Sequence, residues 1–98
     1  MGRYRLSRKA AEDLDRIWDY TVKEWSEEQA ISYYRQIHQA VISLSSHTNI
    51  SGRPYEHIRE GLLGYHVNRH IIFYRKATDG TILVSRILHE KMDFRRHL

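Results

Sequence analysis

His70-Ile71-Ile72-Phe73-Tyr74-Arg75, the dipeptide Asp79-Gly80 and Thr81-Ile82-Leu83-Val84-Ser85-Arg86-Ile87-Leu88 together decide the fold class. β-Branched and aromatic residues fill both runs, and Asp-Gly is a favoured centre for a two-residue hairpin turn. With that turn, Arg75 lies opposite Val84, Phe73 opposite Arg86 and Ile71 opposite Leu88. On the other face Tyr74 meets Ser85, Ile72 meets Ile87 and His70 meets His89. A one-residue slip would move every side chain to the wrong face. Just upstream, Gly61 and Gly64 flank Leu62-Leu63, and Tyr65 to Val67 reads as a further strand.

Moving outward, Asn49-Ile50-Ser51-Gly52-Arg53-Pro54 is a loop by composition, and the apolar period before it is helical. Arg3-Tyr4-Arg5-Leu6 alternates as a short strand would. Ser7 suits the N-cap of a helix with Ala10, Leu14, Ile17, Trp18, Thr21, Val22 and Trp25 on one face, and Glu12, Asp13, Asp15, Arg16, Asp19 and Lys23 on the other. Ser26-Glu27-Glu28-Gln29 is a capping-box pattern, opening a second helix with a stripe of Ala30, Tyr33, Tyr34, Ile37, Ala40, Val41 and Leu44 that ends near His47. With almost no residues between them, the two helices form an antiparallel hairpin. Asp93 can cap one final helical turn. The expected architecture is α+β: a strand, an antiparallel helical hairpin, then an antiparallel-dominated sheet of about three strands with a short C-terminal turn.

The chain has 98 residues, 41% of them hydrophobic, enough for one core and not two, so residues 1–98 read as a single domain. The longest apolar run, Ile71 to Tyr74, is far too short to span a membrane. Cysteine is absent, which excludes disulfides, thiolate metal sites and cysteine nucleophiles. Met1-Gly2-Arg3-Tyr4-Arg5-Leu6 is not a signal-peptide pattern, and the expected compartment is the cytoplasm. Residues 1–49 hold seven basic and seven acidic side chains, whereas residues 50–98 hold nine and five, so the formal net charge of +4 lies in the second half. A basic half favours an anionic partner, either nucleic acid or an acidic protein segment, the other reading of so modest an excess being solubility alone.

Phosphate loops, dinucleotide fingerprints and nucleophile elbows do not occur. His66-Val67-Asn68-Arg69-His70 has a zinc-like spacing, but on a strand residues four apart are separated by roughly 13 Å, so no metal or other cofactor is expected. One constellation could do chemistry: His70, Tyr74, Ser85 and His89 on one sheet face, with Arg75 or Arg86 nearby. Cleaving RNA through its 2′-hydroxyl needs a base, an acid and a cation, and this set supplies them without a metal. Alternatively the same residues are ordinary half-buried sheet positions.

Tyr4-Arg5-Leu6-Ser7, Asp13-Leu14-Asp15-Arg16-Ile17-Trp18, Trp25-Ser26-Glu27-Glu28-Gln29-Ala30, Ile58-Arg59-Glu60-Gly61-Leu62, the His70–Arg75 strand, Arg86-Ile87-Leu88-His89-Glu90-Lys91-Met92-Asp93 and Arg96-His97-Leu98 occur in an order and spacing that resembles the ParE toxins of the RelE/ParE superfamily. The resemblance implies a helical hairpin on a small sheet. It also implies a toxin that inhibits DNA gyrase without being an enzyme, that is neutralised by a ParD-like antitoxin, and whose complex binds operator DNA through that antitoxin. RelE-like relatives instead cut mRNA on the ribosome. Against that alternative, the sheet and tail carry only Lys76 and Lys91, and Phe94-Arg95-Arg96-His97-Leu98 lacks the tail tyrosine of many such RNases. On this reading the toxic surface is Arg75, Arg86, His89, Met92, Arg95 and Arg96, and the antitoxin face is Trp18, Tyr33, Tyr34 and Ile37. The tail from Asp93 to Leu98 is expected to be dispensable for folding.

Overall fold

Ser7 and Ser26 do what their positions demand. In the computed structural model, which describes residues 3–46 and 51–98, the Ser7 hydroxyl accepts from the Ala10 N–H at 2.9 Å, starting helix α1 (Arg8–Glu24). The Ser26 hydroxyl accepts from the Gln29 N–H at 3.0 Å, starting helix α2 (Glu27–Ser45). Trp25 ends one helix and Ser26 caps the next, so the chain reverses with no spacer and the helices pack as a hairpin. Helix α2 is capped at Ser46, and His47, near which it was expected to end, and Asn49-Ile50 of the loop lie outside the described residues.

The sheet has five strands rather than about three. They are β1 (Tyr4–Leu6), β2 (Arg53–Pro54), β3 (Leu63–Val67), β4 (His70–Lys76) and β5 (Ile82–His89), in the spatial order β1-β5-β4-β3-β2. The extra members come from both flanks. The N-terminal strand joins β5 in parallel, with Tyr4 opposite Ile82 and Leu6 opposite Val84. Arg53-Pro54, read as loop, pairs with Gly64 and Leu63. A two-residue strand carrying proline carries almost no sequence signal, and proline is confined to such edges. Gly64 is fixed by close approach: a Cβ there would lie 2.6 Å from the Tyr55 ring.

The β4–β5 register is half as expected. His70 faces His89, Ile71 faces Leu88, Ile72 faces Ile87 and Phe73 faces Arg86, but Tyr74 faces Val84 and Arg75 faces Leu83. Two deviations cancel. Ala77 N–H donates to Thr81 C=O at 2.8 Å, closing a loop of three residues, not two, with Gly80 at φ 88. That shifts the pairing by one, and a β-bulge between Phe73 and Tyr74 restores it by leaving Ser85 unpaired. The β3–β4 turn is Asn68-Arg69, with Asn68 at φ 54, a left-handed position that asparagine tolerates better than most. His66 and His70 thus flank a turn and do not share a strand, which corrects the premise of the zinc-spacing argument.

Two apolar clusters clad the sheet. On one face Ala10, Ile37, Val41 and Leu44 of the helices meet Val67, Ile72, Tyr74, Ile82, Val84 and Ile87. On the other, Leu62, Ile71, Phe73 and Leu88 are covered by Tyr55, Ile58, Phe94 and Leu98. Phe94 belongs to α3 (Phe94–His97), capped by Asp93, and its ring centroid sits 4.9 Å from that of Phe73. The tail therefore packs on the core through Phe94 and Leu98, contrary to the expectation that it stands apart. No described helix is long and apolar enough to cross a membrane.

Candidate functional site

β1 ends at Leu6, so β5 loses its strand partner from Ser85 onward. Side chains take over. The Ser7 hydroxyl donates to Ser85 C=O at 2.7 Å, and one turn along α1 the Asp13 carboxylate accepts the Ile87 N–H at 2.9 Å. Arg86, from the opposite sheet face, reaches round this edge: Nε donates to Asp13 Oδ2 at 2.8 Å and Nη2 to Oδ1 at 2.9 Å. Arg16 adds a fourth donor to Asp13 at 3.0 Å. The free fork nitrogen of Arg86, Nη1, donates to His97 C=O at 3.0 Å. A single buried ion pair so joins α1, β5 and the C-terminal turn.

Burial pushes the Asp13 carboxyl up, but the donors from Arg86, Ile87 and Arg16 outweigh it and hold it below the usual carboxylate range. The Asp13 bonds raise Arg86 further, so its charge is permanent. Sequence reasoning placed Asp13 among the solvated residues of α1. The available signal was spacing, since Asp13 stands three after Ala10 and four before Ile17, within the stripe that faces the sheet.

Beside this pair opens a cleft of about 1220 Å³, bordered by Tyr20, Trp25, Tyr33, His70, His89, Met92 and His97 among others. His70 and His89 stand across the strand pair, ring centroids 5.3 Å apart and nearly perpendicular. The Tyr33 hydroxyl donates to Val67 C=O at 3.1 Å and lies 2.5 Å from His70 Nδ1, an arrangement satisfied when Nδ1 carries the proton of a neutral ring. Burial, reinforced by the neighbouring His89, pushes the His70 pKa down to about 4. His89 Nδ1 accepts the Lys91 N–H at 3.1 Å, and His66 Nε2 lies 3.4 Å from Glu90. Among the described residues no group of three histidine or acidic side chains is placed to hold a metal.

The expected catalytic constellation does not assemble. His70 and His89 meet, but Tyr74 is four residues along β4 and wholly buried under the helices, its hydroxyl accepting the Gly52 N–H at 2.7 Å. Ser85 occupies the bulge and donates to Phe73 C=O at 3.2 Å. Arg86, proposed both as a phosphorane cation and as part of the toxic surface, is 8% exposed and committed to Asp13 and His97. It is withdrawn from both roles. His89 and Met92 border the cleft, and Arg95 and Arg96 are exposed on α3, the turn whose His97 also borders it. Arg75 is exposed near the far end of β4, roughly 16 Å along the strand from His70, and does not join them.

Of the four residues expected to meet an antitoxin, Ile37 is 1% exposed and part of the core, so it leaves the set. Tyr33 is half-buried and held at His70. Trp18 and Tyr34 remain together on the outside of the hairpin, in an edge-to-face contact of 6.4 Å, with Tyr34 46% exposed. His38 and Tyr4 extend that row, the Tyr4 hydroxyl 3.0 Å from His38 Nε2.

Comparison with known proteins agrees with this architecture. Residues 4–94 match the family model described as the ParE toxin of the type II toxin–antitoxin system parDE. A "Toxin ParE1" of Caulobacter vibrioides is 38% identical over 98 residues, 100% of this chain and 99% of that protein. A "Toxin ParE1" of Mycobacterium tuberculosis is 38% identical over 97 residues, 99% of this chain and 98% of that protein. A solved structure titled "Chromosomal ParDE TA system from P. aeruginosa" superposes with a TM-score of 0.76 at 28% identity, covering 91% of this chain and 96% of that one.

Proposed function

This chain belongs to the ParE toxin family of type II toxin–antitoxin systems, and we propose that it arrests growth by binding DNA gyrase, is not an enzyme, and is neutralised by a ParD-like antitoxin. The observation that carries this reading is the Asp13–Arg86 pair. An RNase using the sheet would need a cation free to meet developing phosphorane charge. Arg86, the strand arginine beside the histidine pair, is instead buried against a carboxylate, which leaves only the turn residue Arg69 exposed next to His70, and His70 is neutral throughout the physiological range. What stays available is a recognition surface: exposed Arg95 and Arg96 beside Met92 and His89, a mixture of cations and apolar anchors suited to a protein–DNA complex. Action in the cytoplasm, and operator binding by the toxin–antitoxin complex through the antitoxin, belong to the same proposal.

Expressing the chain alone tests it. Gyrase-dependent DNA breaks are expected without codon-positioned mRNA cuts, and His70→Ala and His89→Ala, made singly, each retain growth arrest. Arrest that disappears with His89→Ala together with mRNA cuts would overturn the proposal in favour of a ribosome-dependent RNase.

A further inference from the structure

The strongest unassigned feature is the outer edge of the sheet. Residues 3–9 read Arg3-Tyr4-Arg5-Leu6-Ser7-Arg8-Lys9, four cations in seven positions with no acid, a concentration hidden by the neutrality of the N-terminal half. The structure adds a fifth from far away in sequence. Arg5 pairs with Leu83, and Leu83 pairs with Arg75, so these three form one row across β1, β5 and β4 with their side chains on one face. The two arginine Cα atoms are roughly 10 Å apart, one strand spacing on each side of Leu83. Leu83 is 39% exposed, because Tyr55, Ile58, Phe94 and Leu98 cover only the other half of this face. Among the described residues no carboxylate comes within ion-pair distance of Arg5 or Arg75. Arg3 interacts electrostatically with Asp79 and joins no ion pair among the described residues.

The main chain of β1 is open as well. Arg3 C=O accepts from Ile82 and the Ser7 N–H donates to Val84, so alternate residues of β1 bond toward β5. The N–H and C=O groups of Tyr4 and Leu6, between them, therefore point out of the sheet. The first turn of α1, which starts beside this edge, holds Arg8 and Lys9 and no acid. Cations there oppose the helix dipole and are not explained by helix stability.

We propose that the β1 edge is a strand-addition site for an acidic, extended segment of the antitoxin, with glutamate or aspartate side chains against Arg5 and Arg75 and an apolar side chain on Leu83. The assignment rests on the toxin–antitoxin reading for the source of the segment. An apolar anchor between cations and a row of outward main-chain groups fit a polypeptide strand. Phosphate backbone would use only the arginines, and the rings of this face, Tyr55 and Phe94, are packed on Phe73 over its other half.

The test is a titration of the full-length toxin with a blocked ten-residue peptide of alternating glutamate and valine, followed by amide exchange and chemical shifts. Binding that protects the Tyr4 and Leu6 amides is expected. Arg5→Glu with Arg75→Glu, both exposed positions, should weaken it about tenfold, and an alternating lysine–valine peptide should not bind. Unprotected Tyr4 and Leu6 amides, equal affinity for the charge-reversed protein, or displacement by a short DNA duplex would each overturn the proposal. In that case the arginines only guard the edge against self-association. Gyrase poisoning by the double variant is scored separately, so failure of this surface and failure of the gyrase reading are told apart.

Discussion

The two faces of the sheet are built from the same strands and come out differently. Under the helices the apolar positions run the whole length of β4 and β5, from Ile72 and Tyr74 to Ile82, Val84 and Ile87, and all are buried. On the opposite face the apolar run stops midway: Ile71, Phe73 and Leu88 are covered, whereas Arg75, Leu83 and Arg5 are not. The change falls at the bulge between Phe73 and Tyr74. Along these apolar positions one face serves stability throughout, and the other is divided between a staple and a free surface. Asp13 and Arg86 stand at the border and bind the two layers around the end of β1.

Cutting that link is the strongest way to break the comparison. Asp13→Ala leaves the buried guanidinium without its counter-charge and the Ile87 N–H without its acceptor, and Arg86→Ala leaves a buried carboxylate without its main partner; either should cost about 3–5 kcal/mol in denaturant unfolding. Replacing both with apolar residues, Asp13→Leu with Arg86→Met, should cost clearly less than either single change. A double variant as unstable as the sum would show that the bonds to Ile87 and His97, not the burial of unpaired charge, dominate.

The tail sharpens the contrast within the second face. Phe94→Ala removes a ring packed on Phe73 and Tyr55 and should cost about 2–3 kcal/mol, read as a lowered melting temperature. Arg95→Ala with Arg96→Ala should change stability by less than about 0.5 kcal/mol, since both are exposed, yet abolish gyrase inhibition with antitoxin binding intact. Those two results separate the anchoring side of α3 from its recognition side.

Most of the fold was legible because local chemistry and tertiary demand agreed. The serine caps, the helical stripes and the β-rich runs after residue 60 each specify one structure. What escaped depended on distant partners. The short N-terminal strand was legible from its alternation, but its parallel pairing is visible only once its neighbour β5 is known. The three-residue loop and the bulge at Ser85 each leave no mark that composition distinguishes, and they cancelled at the His70–His89 end. At the site, the histidine pair was legible and the Asp13–Arg86 pair was not, because 73 positions separate its members. Arg75 was grouped with the tail by charge, although the strand carries it to the opposite end of the sheet.

Acid should weaken the helix-covered face at the histidines. The folded His70 pKa, near 4, lies below its ordinary value of 6.5, so on acidification the unfolded chain takes up a proton before the native one does. Stability should be flat above pH 6.5 and fall between 6.5 and about 4, by on the order of 1–2 kcal/mol allowing for partial solvent access. His70→Phe should flatten that segment of the profile. Asp13, with its depressed carboxyl, adds a further loss only at lower pH, as it protonates in the native state.

The smallest effect is expected on the outside of the hairpin, where nothing in the sheet depends on the residue. Tyr34 packs edge-on against Trp18 and stacks near His38, and the remainder of its ring faces solvent. Tyr34→Ala loses its two surface ring contacts, about 0.5–1 kcal/mol together. If the Trp18–Tyr34 row is the groove that receives an amphipathic antitoxin helix, affinity should fall by at least as much, through a faster off-rate, while Arg5→Glu acts mainly on the on-rate and its salt dependence. Measuring both variants in one binding assay compares the two exposed regions directly. Loss of affinity with Arg5→Glu and none with Tyr34→Ala would place antitoxin recognition at the sheet edge alone, leaving the aromatic row with only its stacking.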